Sequence, residues 1–145
     1  MEIREIKEND HQYIYKLIKN ELGYDQVDFE QLETRLKVMK KDPNYMIFVA
    51  EKDDQVVGFI GLMQGLALEI EGKIIRIIAL AVSKDYQGNQ IGSSLVKYSE
   101  EYAHHQGVKI ITLNSGRDRK TAHRFYQKHG YLKKDTVLLN NVNNL

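Results

Sequence analysis

Apolar side chains early in the chain recur at helical spacing. Within residues 11–22 they lie three and four positions apart, which predicts an amphipathic helix with one buried face. Asn9 or Asp10 is placed to cap the start of this helix, and Gly23 is placed to end it. The apolar face consists of Tyr13, Ile14, Leu17, Ile18 and Leu22. Residues 1–6 alternate weakly and predict an edge strand.

A second helix is predicted after a short polar stretch. Asp28 and Gln31 form a capping box at its start, and Pro43, the only proline in the chain, ends it. Its inward-facing residues are Phe29, Leu32, Leu36 and Met39. Two amphipathic helices therefore precede the extended part of the chain.

From residue 45 the hydrophobic period changes to that of strands. Residues 46–50 and 56–62 predict two strands joined by a turn at residues 53–54. A further extended run at residues 66–70 leads through a turn at residues 71–72 into the next strand. Strands joined by such short turns predict an antiparallel meander.

An unbroken apolar strand at residues 74–82 leads into a glycine-bearing loop, residues 87–92, and then a third helix. This helix is predicted for residues 90–106 and closed by Gly107. Its apolar face carries Ile91, Leu95, Tyr98 and Tyr102. A loop in this position directs backbone N–H groups and the positive end of the helix dipole toward one point, which favours phosphate binding.

Three further elements complete the predicted fold. Residues 110–113 form a short buried strand, residues 120–129 a last helix stopped by Gly130, and residues 136–139 a closing strand before an Asn-rich end. The order of elements predicts one domain, residues 1–145, of the α/β class. We expect a mixed, mostly antiparallel sheet with helices on both faces.

Composition and charge exclude several functional classes. The formal charge is +1 over 145 residues, so non-specific nucleic-acid binding is not predicted. The chain contains no cysteine, which excludes thiol nucleophiles, disulfides and thiolate metal ligands and is typical of a reducing compartment. Without an HExxH motif, no metal site is predicted. No stretch approaches the roughly 20 apolar residues of a membrane span, and the N-terminus is too charged for a signal peptide, so a cytoplasmic protein is expected.

The residues of the glycine loop support two interpretations. The loop is not a P-loop, because GxxxxGKS/T is absent. It is not the dinucleotide fingerprint, because the glycine spacing differs and no acidic ribose-binding residue follows at the right distance. A short loop between a strand and a helix can bind a diphosphate, or Gly88 and Gly92 can simply form a tight turn. Both interpretations stay open on this stretch alone.

Two motifs resemble those of the GNAT superfamily, the acyl-CoA-dependent N-acetyltransferases. The cofactor loop Gln/Arg-x-x-Gly-x-Gly/Ala corresponds to Gln87-Gly88-Asn89-Gln90-Ile91-Gly92, which follows Leu80-Ala81-Val82. The motif Ala-x-x-Phe-Tyr-x-x-x-Gly-Phe/Tyr corresponds to residues 122–131. The middle glycine of the cofactor loop is replaced by Gln90, which crowds the phosphates or forces a backbone conformation that glycine tolerates better. The alternative is that its amide N–H donates to a phosphate oxygen.

The resemblance implies acetyl-CoA as the cofactor. It places the pantetheine along backbone groups of Leu80, Ala81 and Val82. It places the diphosphate on the loop and the first helical turn, comprising Gln87, Gly88, Asn89, Gln90, Ile91, Gly92 and Ser93. Asn114 and Arg119 are predicted as further contacts. Arg119 belongs to a basic cluster that also contains Arg117, Lys120 and Arg124. For the last two residues, a solvated helix surface is the alternative.

The resemblance also implies direct attack of a neutral amine on the thioester. Tyr126 matches the family's tyrosine acid, since a thiolate with a pKa near ~8.5 needs a proton as it departs. The alternative is that Tyr126 is a core aromatic beside Phe125, although adjacent helix residues face different ways. Presenting an alkylamine neutral at pH 7 costs about 4–5 kcal/mol, and many relatives use a glutamate at the position of Arg76. The base stays unassigned among Glu69, Glu71 and a water chain.

The acceptor is expected between the N-terminal helices and the strand ends. Acidic residues of this region favour a cationic amine such as a polyamine, an aminoglycoside or a lysine side chain, and a solvated helix surface is the alternative. They are Glu21, Asp25, Asp28, Glu30 and Glu33.

We therefore predict an N-acetyltransferase that acts on a primary amine of a small molecule or peptide and, by analogy, forms a homodimer. One rival is a non-catalytic acyl-CoA-binding or sensor domain, which Gln90 and the missing strand carboxylate favour. The other is a mononucleotide-binding α/β module.

Overall fold

Seven strands form one mixed sheet in the computed structural model, which describes residues 1–114, 120–134 and 137–141. The strands are β1 (Glu2–Glu5), β2 (Tyr45–Lys52), β3 (Gln55–Leu66), β4 (Lys73–Val82), β5 (Ile110–Asn114), β6 (Leu132–Lys134) and β7 (Val137–Asn141). Their spatial order is β1-β2-β3-β4-β5-β7-β6, and β4–β5 is the parallel pair among antiparallel neighbours. The predicted fold class and the edge position of the first strand are confirmed.

Helices cover both faces of this sheet. They are α1 (His11–Asn20), α2 (Phe29–Lys41), α3 (Ile91–His105) and α4 (Lys120–Lys128). One apolar cluster packs α1 and α2 against one face, and a second cluster packs α3 and Tyr126 of α4 against the other. No helix in the described segments is both long and apolar enough to cross a membrane.

Burial on both faces explains why the central strands are nearly continuous apolar runs. In β2, Phe48 and Ala50 belong to the cluster under α3, whereas Ile47 and Val49 belong to the cluster under α1 and α2. Successive side chains of a strand point to opposite faces, so each face receives alternate residues. A strand with two buried faces therefore needs apolar residues at every position.

The two predicted helix caps have different outcomes. At the start of α2, the Asp28 carboxylate accepts a hydrogen bond from the Gln31 N–H at 3.0 Å, which confirms the N-cap half of the predicted capping box. At the start of α1, Asp10 occupies the N-cap position but makes no side-chain capping bond, so that prediction is wrong. Its carboxylate instead binds Arg4 at 2.8 Å and the Lys7 N–H at 2.7 Å. Arg4 and the Lys7 N–H together donate to both oxygens of the carboxylate, which holds it away from the first amides of α1.

The meander is confirmed with one correction. Asp53 and Asp54 both have positive φ, 55° and 61°, as a tight two-residue hairpin requires. The separate strand predicted at residues 66–70 is wrong, because β3 runs to Leu66 and an irregular loop leads into β4. Leu66 and Leu68 are exposed, so the alternating apolar side chains of this run do not pack against the core. The short edge strand β6 was not predicted.

Helix α3 packs closely against the sheet at Gly58 of β3. A Cβ atom there would lie 3.1 Å from the Ala81 carbonyl oxygen and 3.3 Å from Ile91 Cγ2. We expect Gly58→Ala to destabilise the fold by about 1–3 kcal/mol, because α3 must move away from β3. Urea unfolding followed by circular dichroism measures this change.

Gly65→Ala provides the matched control for this prediction. Gly65 lies on the same strand, but a Cβ atom there would have no atom within 4 Å. Its substitution should change the free energy of unfolding by less than about 0.5 kcal/mol. Equal effects at the two glycines would contradict the proposed steric cause.

Candidate active site

The strands β4 and β5 separate partway along their length. Their parallel pairing extends from Ile74↔Ile110 to Ile77↔Leu113, but β4 continues to Val82. On its other side, β4 remains paired with β3 up to Gly58↔Val82. The last five residues of β4, 78–82, therefore have one edge without a strand partner in the described part of the chain. Such an edge offers backbone N–H and C=O groups to an extended ligand.

A β-bulge marks the point of separation. Gly61 pairs with Ala79 and Leu62 pairs with Ile77, so Ile78 is the extra residue on β4. Gly61 leaves the room for it, since a Cβ atom there would lie 3.2 Å from Ile78 Cγ1. Because a bulge bends its strand, β4 turns away from β5 just before residues 80–82. The predicted pantetheine residues lie on this open stretch.

The glycine loop connects the open end of β4 to α3. No backbone N–H from Gly88 to Ser93 donates to a backbone carbonyl within the described residues. These amides surround the N-terminus of α3, and the space beside Gly88 is open. Unpaired N–H groups and the helix dipole together favour an anion at this point.

Gln90, the replacement for the motif glycine, adopts the left-handed conformation with φ 61° and ψ 20°. The position therefore has the backbone geometry that glycine prefers, although the side chain differs. We expect Gln90→Gly to stabilise the protein by up to about 1 kcal/mol, because a left-handed residue with a Cβ atom is strained. Urea unfolding tests this, and Asn89→Gly serves as the neighbouring control. A loss of stability at Gln90→Gly would contradict the strain argument.

Side chains of the loop bind the protein itself. The Gln87 amide donates to the Val82 carbonyl at 3.1 Å and to the Glu21 carboxylate at 3.4 Å. The other Glu21 oxygen accepts from the Lys84 N–H at 3.1 Å. The Asn89 amide donates to the Tyr86 carbonyl at 3.3 Å. Gln87 and Asn89 therefore hold the shape of the loop, and the groups left for a ligand are the backbone amides.

Sequence reasoning missed two supports of this loop. Glu21, at the end of α1, was considered only as part of an acidic acceptor region. The Tyr86 hydroxyl donates to Asp53 at 3.1 Å and accepts from the Gln55 amide at 2.9 Å, which ties the loop to the β2–β3 hairpin. These partners are distant along the chain, so no local pattern identifies them.

The first turn of α3 packs against the end of α4. Ile91 is buried, so only its backbone can contact a ligand. Gly92 faces Phe125, whose Cζ atom would lie 3.4 Å from an added Cβ. The Ser93 hydroxyl lies 2.9 Å from His129 Nε2. Partial burial, together with Lys128, lowers the pKa of His129 below its ordinary 6.5, which favours the neutral ring.

Tyr126 lies deeper than the sequence suggested. Its side chain is 7% exposed and belongs to the core cluster under α3, whereas Phe125 is half-buried against that cluster. The Tyr126 ring makes edge contacts with Phe125 at 5.3 Å and Tyr131 at 5.6 Å between centroids. These contacts fix the orientation of the ring. Its role as the general acid stays a prediction.

The remaining predicted cofactor residues are only partly described. Asn114 ends β5, where its backbone pairs with Val137. Arg119 and Arg117 lie outside the described residues, while Arg124 is exposed on α4. Their predicted contacts to phosphates stay predictions.

The candidate bases occupy different places. Glu69 and Glu71 are exposed in the loop before β4, roughly 25 Å along the strand from its open end. Arg76 is half-buried beside the separation of β4 and β5, paired in register with Met63 and Thr112. The structure therefore places Arg76 one residue before the pairing of β4 with β5 ends, whereas both glutamates precede the start of β4.

The acidic residues near the helices also serve the fold. Glu21 holds the loop, Asp28 caps α2, and Glu33 binds His11 at 3.2 Å and Lys37 at 3.9 Å. Among the described residues, no group of three or more His, Cys, Asp or Glu side chains could hold a metal ion. Glu21, Asp28 and Glu33 therefore have structural roles, and a cationic acceptor for this region stays a prediction.

An open strand edge beside a helix start with free backbone amides is the geometry of a protein class that offers a site to an extended, anionic ligand. The sequence model of the Acetyltransferase (GNAT) family matches residues 5–131. The chain is 32% identical over 130 residues to the aminoalkylphosphonate N-acetyltransferase of Salmonella typhimurium strain LT2, covering 90% of this chain and 84% of that protein. The chain therefore belongs to the GNAT acetyltransferase family, and it is an acetyltransferase.

Solved structures share this fold. A transcriptional regulator from Bacillus halodurans C-125 superposes with a TM-score of 0.83 and 28% identity, over 92% of this chain and 93% of that one. PaiA N-acetyltransferase from Thermoplasma acidophilum, solved in complex with coenzyme A, has a TM-score of 0.75 and 16% identity, over 97% and 98% of the two chains. Family membership decides against the mononucleotide-binding alternative.

Proposed function

We propose that the protein transfers an acetyl group from acetyl-CoA to a primary amine by direct attack within a ternary complex. The observation that carries the proposal is the unpartnered edge of β4, which leads directly to the free amides at the start of α3. The open edge of β4 and the free amides of α3 follow one another along the chain. A ligand with an extended, amide-bearing arm that ends in a diphosphate could contact both. The CoA complex of a structural neighbour supports the same assignment.

The residues present fit this ligand. Backbone groups of residues 80–82 would pair with the pantetheine amides, and the amides of residues 88–93 would bind the diphosphate. Acetyl-CoA, when bound, supplies the acetyl thioester. Tyr126 would hold a proton for the departing sulfur, since a phenol hydroxyl is a hydrogen-bond donor that can act as a general acid. Because the chain contains no cysteine, no cysteine-linked acyl-enzyme forms, and the acceptor amine attacks directly.

The acceptor we propose carries an acidic group near its amine. The relative from Salmonella is named for aminoalkylphosphonates. Arg76 provides a half-buried cation at the separation of β4 and β5, and it forms no ion pair with any described residue. A guanidinium matches a phosphonate or carboxylate in bidentate geometry. A positive side chain at this position also favours the neutral form of a nearby amine.

Two measurements test the proposed function. Coenzyme A at about 100 times its Kd should add about 2.7 kcal/mol to the free energy of unfolding, and ATP should add much less. Free thiol release is then followed across aminoalkylphosphonates, polyamines, aminoglycosides and lysine peptides. The protein gives no thiol background, because it contains no cysteine. Absence of stabilisation by coenzyme A would overturn the proposal, and binding without thiol release would favour a sensor role.

A further inference from the structure

The end of α4 contacts the first turn of α3 through a histidine that no predicted role uses. His129 follows α4 directly, and its Nε2 atom lies 2.9 Å from the Ser93 hydroxyl. Its ring packs against Phe125 with centroids 4.7 Å apart, and Phe125 in turn faces Gly92. The imidazole is therefore fixed in place at the edge of the proposed diphosphate site.

The protons of this pair decide what Ser93 can offer a ligand. A serine hydroxyl has one proton to donate and two lone pairs that accept. If Ser93 donates to His129, its proton is used and the phosphate oxygens meet only lone pairs. If His129 carries its proton on Nε2 and donates to Ser93, the serine proton is free for a phosphate oxygen.

We propose that His129 is a positioning residue that donates its Nε2–H to Ser93 and so directs the serine hydroxyl at the diphosphate. The inference rests on the proposed function, because it concerns the same cofactor site. The inference adds His129, from the motif at residues 122–131, to a site that is otherwise built from backbone amides. A chain of two hydrogen bonds then joins the end of α4 to the bound anion. Polarisation along such a chain strengthens the final bond to the charged oxygen.

The consequence is specific to ligands that carry the diphosphate. Loss of one hydrogen bond to a charged group should weaken binding of acetyl-CoA about tenfold. Acetyl-pantetheine has the same thioester and the same amide arm but no diphosphate. Its KM should not depend on His129.

The experiment compares KM for acetyl-CoA and for acetyl-pantetheine in the full-length protein. His129→Phe keeps an aromatic ring against Phe125 but removes the donor, so the Ser93 hydroxyl is no longer directed at the diphosphate. We expect KM to rise for acetyl-CoA only, by up to about the tenfold that loss of the serine–phosphate bond would cause. His129→Gln retains an N–H donor and should recover part of the affinity. His105→Phe, on the exposed end of α3, is the matched histidine control and should change neither KM. An equal change in both KM values for His129→Phe would overturn the inference.

Ser93→Ala removes the other partner of the Ser93–His129 hydrogen bond and leaves the rings of Phe125 and His129 in contact. It should raise KM for acetyl-CoA about tenfold, and the double variant with His129→Phe should be no worse than either alone. Additive effects would show that the two side chains act independently and would overturn the inference. If the wild-type protein does not bind coenzyme A, the proposed function fails. If the wild type binds coenzyme A and both single variants have the wild-type KM for acetyl-CoA, only the role of His129 fails.

Discussion

Replacing Tyr126 with phenylalanine should lower kcat by about 100-fold, which is the low end of the contribution of a positioned acid or base. The substitution removes one oxygen and leaves the ring contacts with Phe125 and Tyr131 in place. Binding of acetyl-CoA should change little, because the hydroxyl acts as the thiolate leaves. Steady-state assays of thiol release give kcat, and calorimetric titration with coenzyme A gives the affinity.

Tyr98→Phe is the control for this prediction. Tyr98 lies on α3, 37% exposed, and its ring packs edge-on against Phe48. Its kcat should stay within about twofold of the wild type, since it lies outside the proposed site. The role of Tyr126 as an acid would be rejected if Tyr126→Phe lost only stability, in which case the hydroxyl is a structural group of the core.

The second large effect concerns stability and lies at Asp10. Its side chain is 6% exposed and makes a two-pronged contact with Arg4, at 2.8 and 3.1 Å, while Arg4 also binds Glu51 at 2.6 Å. Asp10→Ala leaves the 14% exposed Arg4 side chain with one acidic partner instead of two. We expect a loss of about 3 kcal/mol, because the buried Arg4 loses its two-pronged partner and the Lys7 N–H loses its acceptor. Urea unfolding at pH 7 measures it.

The pH dependence of this pair has a definite sign. Burial acts to raise the pKa of Asp10, but hydrogen bonds from Arg4 and the Lys7 N–H, with the positive charge of Arg4, hold it below its ordinary 3.8. A carboxyl whose pKa is lower in the folded state stabilises the fold above its unfolded pKa and loses that contribution as pH falls through the folded pKa. The stability difference between wild type and Asp10→Ala should therefore be constant from pH 5 to pH 7 and shrink below pH 3.8.

Lys37→Ala provides the surface comparison. Lys37 lies 3.7 Å from Glu8 and 3.9 Å from Glu33, and its side chain is 54% exposed. An exposed pair contributes at most about 1 kcal/mol, so this variant should unfold close to the wild-type urea midpoint. Similar losses for Asp10→Ala and Lys37→Ala would contradict the role assigned to burial.

Much of the candidate site was predictable because its motifs are short and continuous. The strand end at Leu80, the glycine loop and Tyr126 are each recognised within about ten residues of sequence. The left-handed backbone at Gln90 also follows from the motif, since a glycine is expected there. These motifs do not include Glu21 or the β2–β3 hairpin, which hold the loop in place.

The amino-acid sequence by itself determined the helices, the hairpin at Asp53 and Asp54, and the loop before α3, because periodicity, caps and turn residues act over a few positions. Only the tertiary structure decided that β4 separates from β5 after Ile77, that Asp10 binds Arg4 instead of capping α1, and that Tyr126 lies in the core. Each of these depends on how separate elements are placed in space, as when β1 brings Arg4 to the start of α1. Local pattern cannot specify them, because the free energy of a buried charge, a bulge or an aromatic contact is set by its neighbours in space.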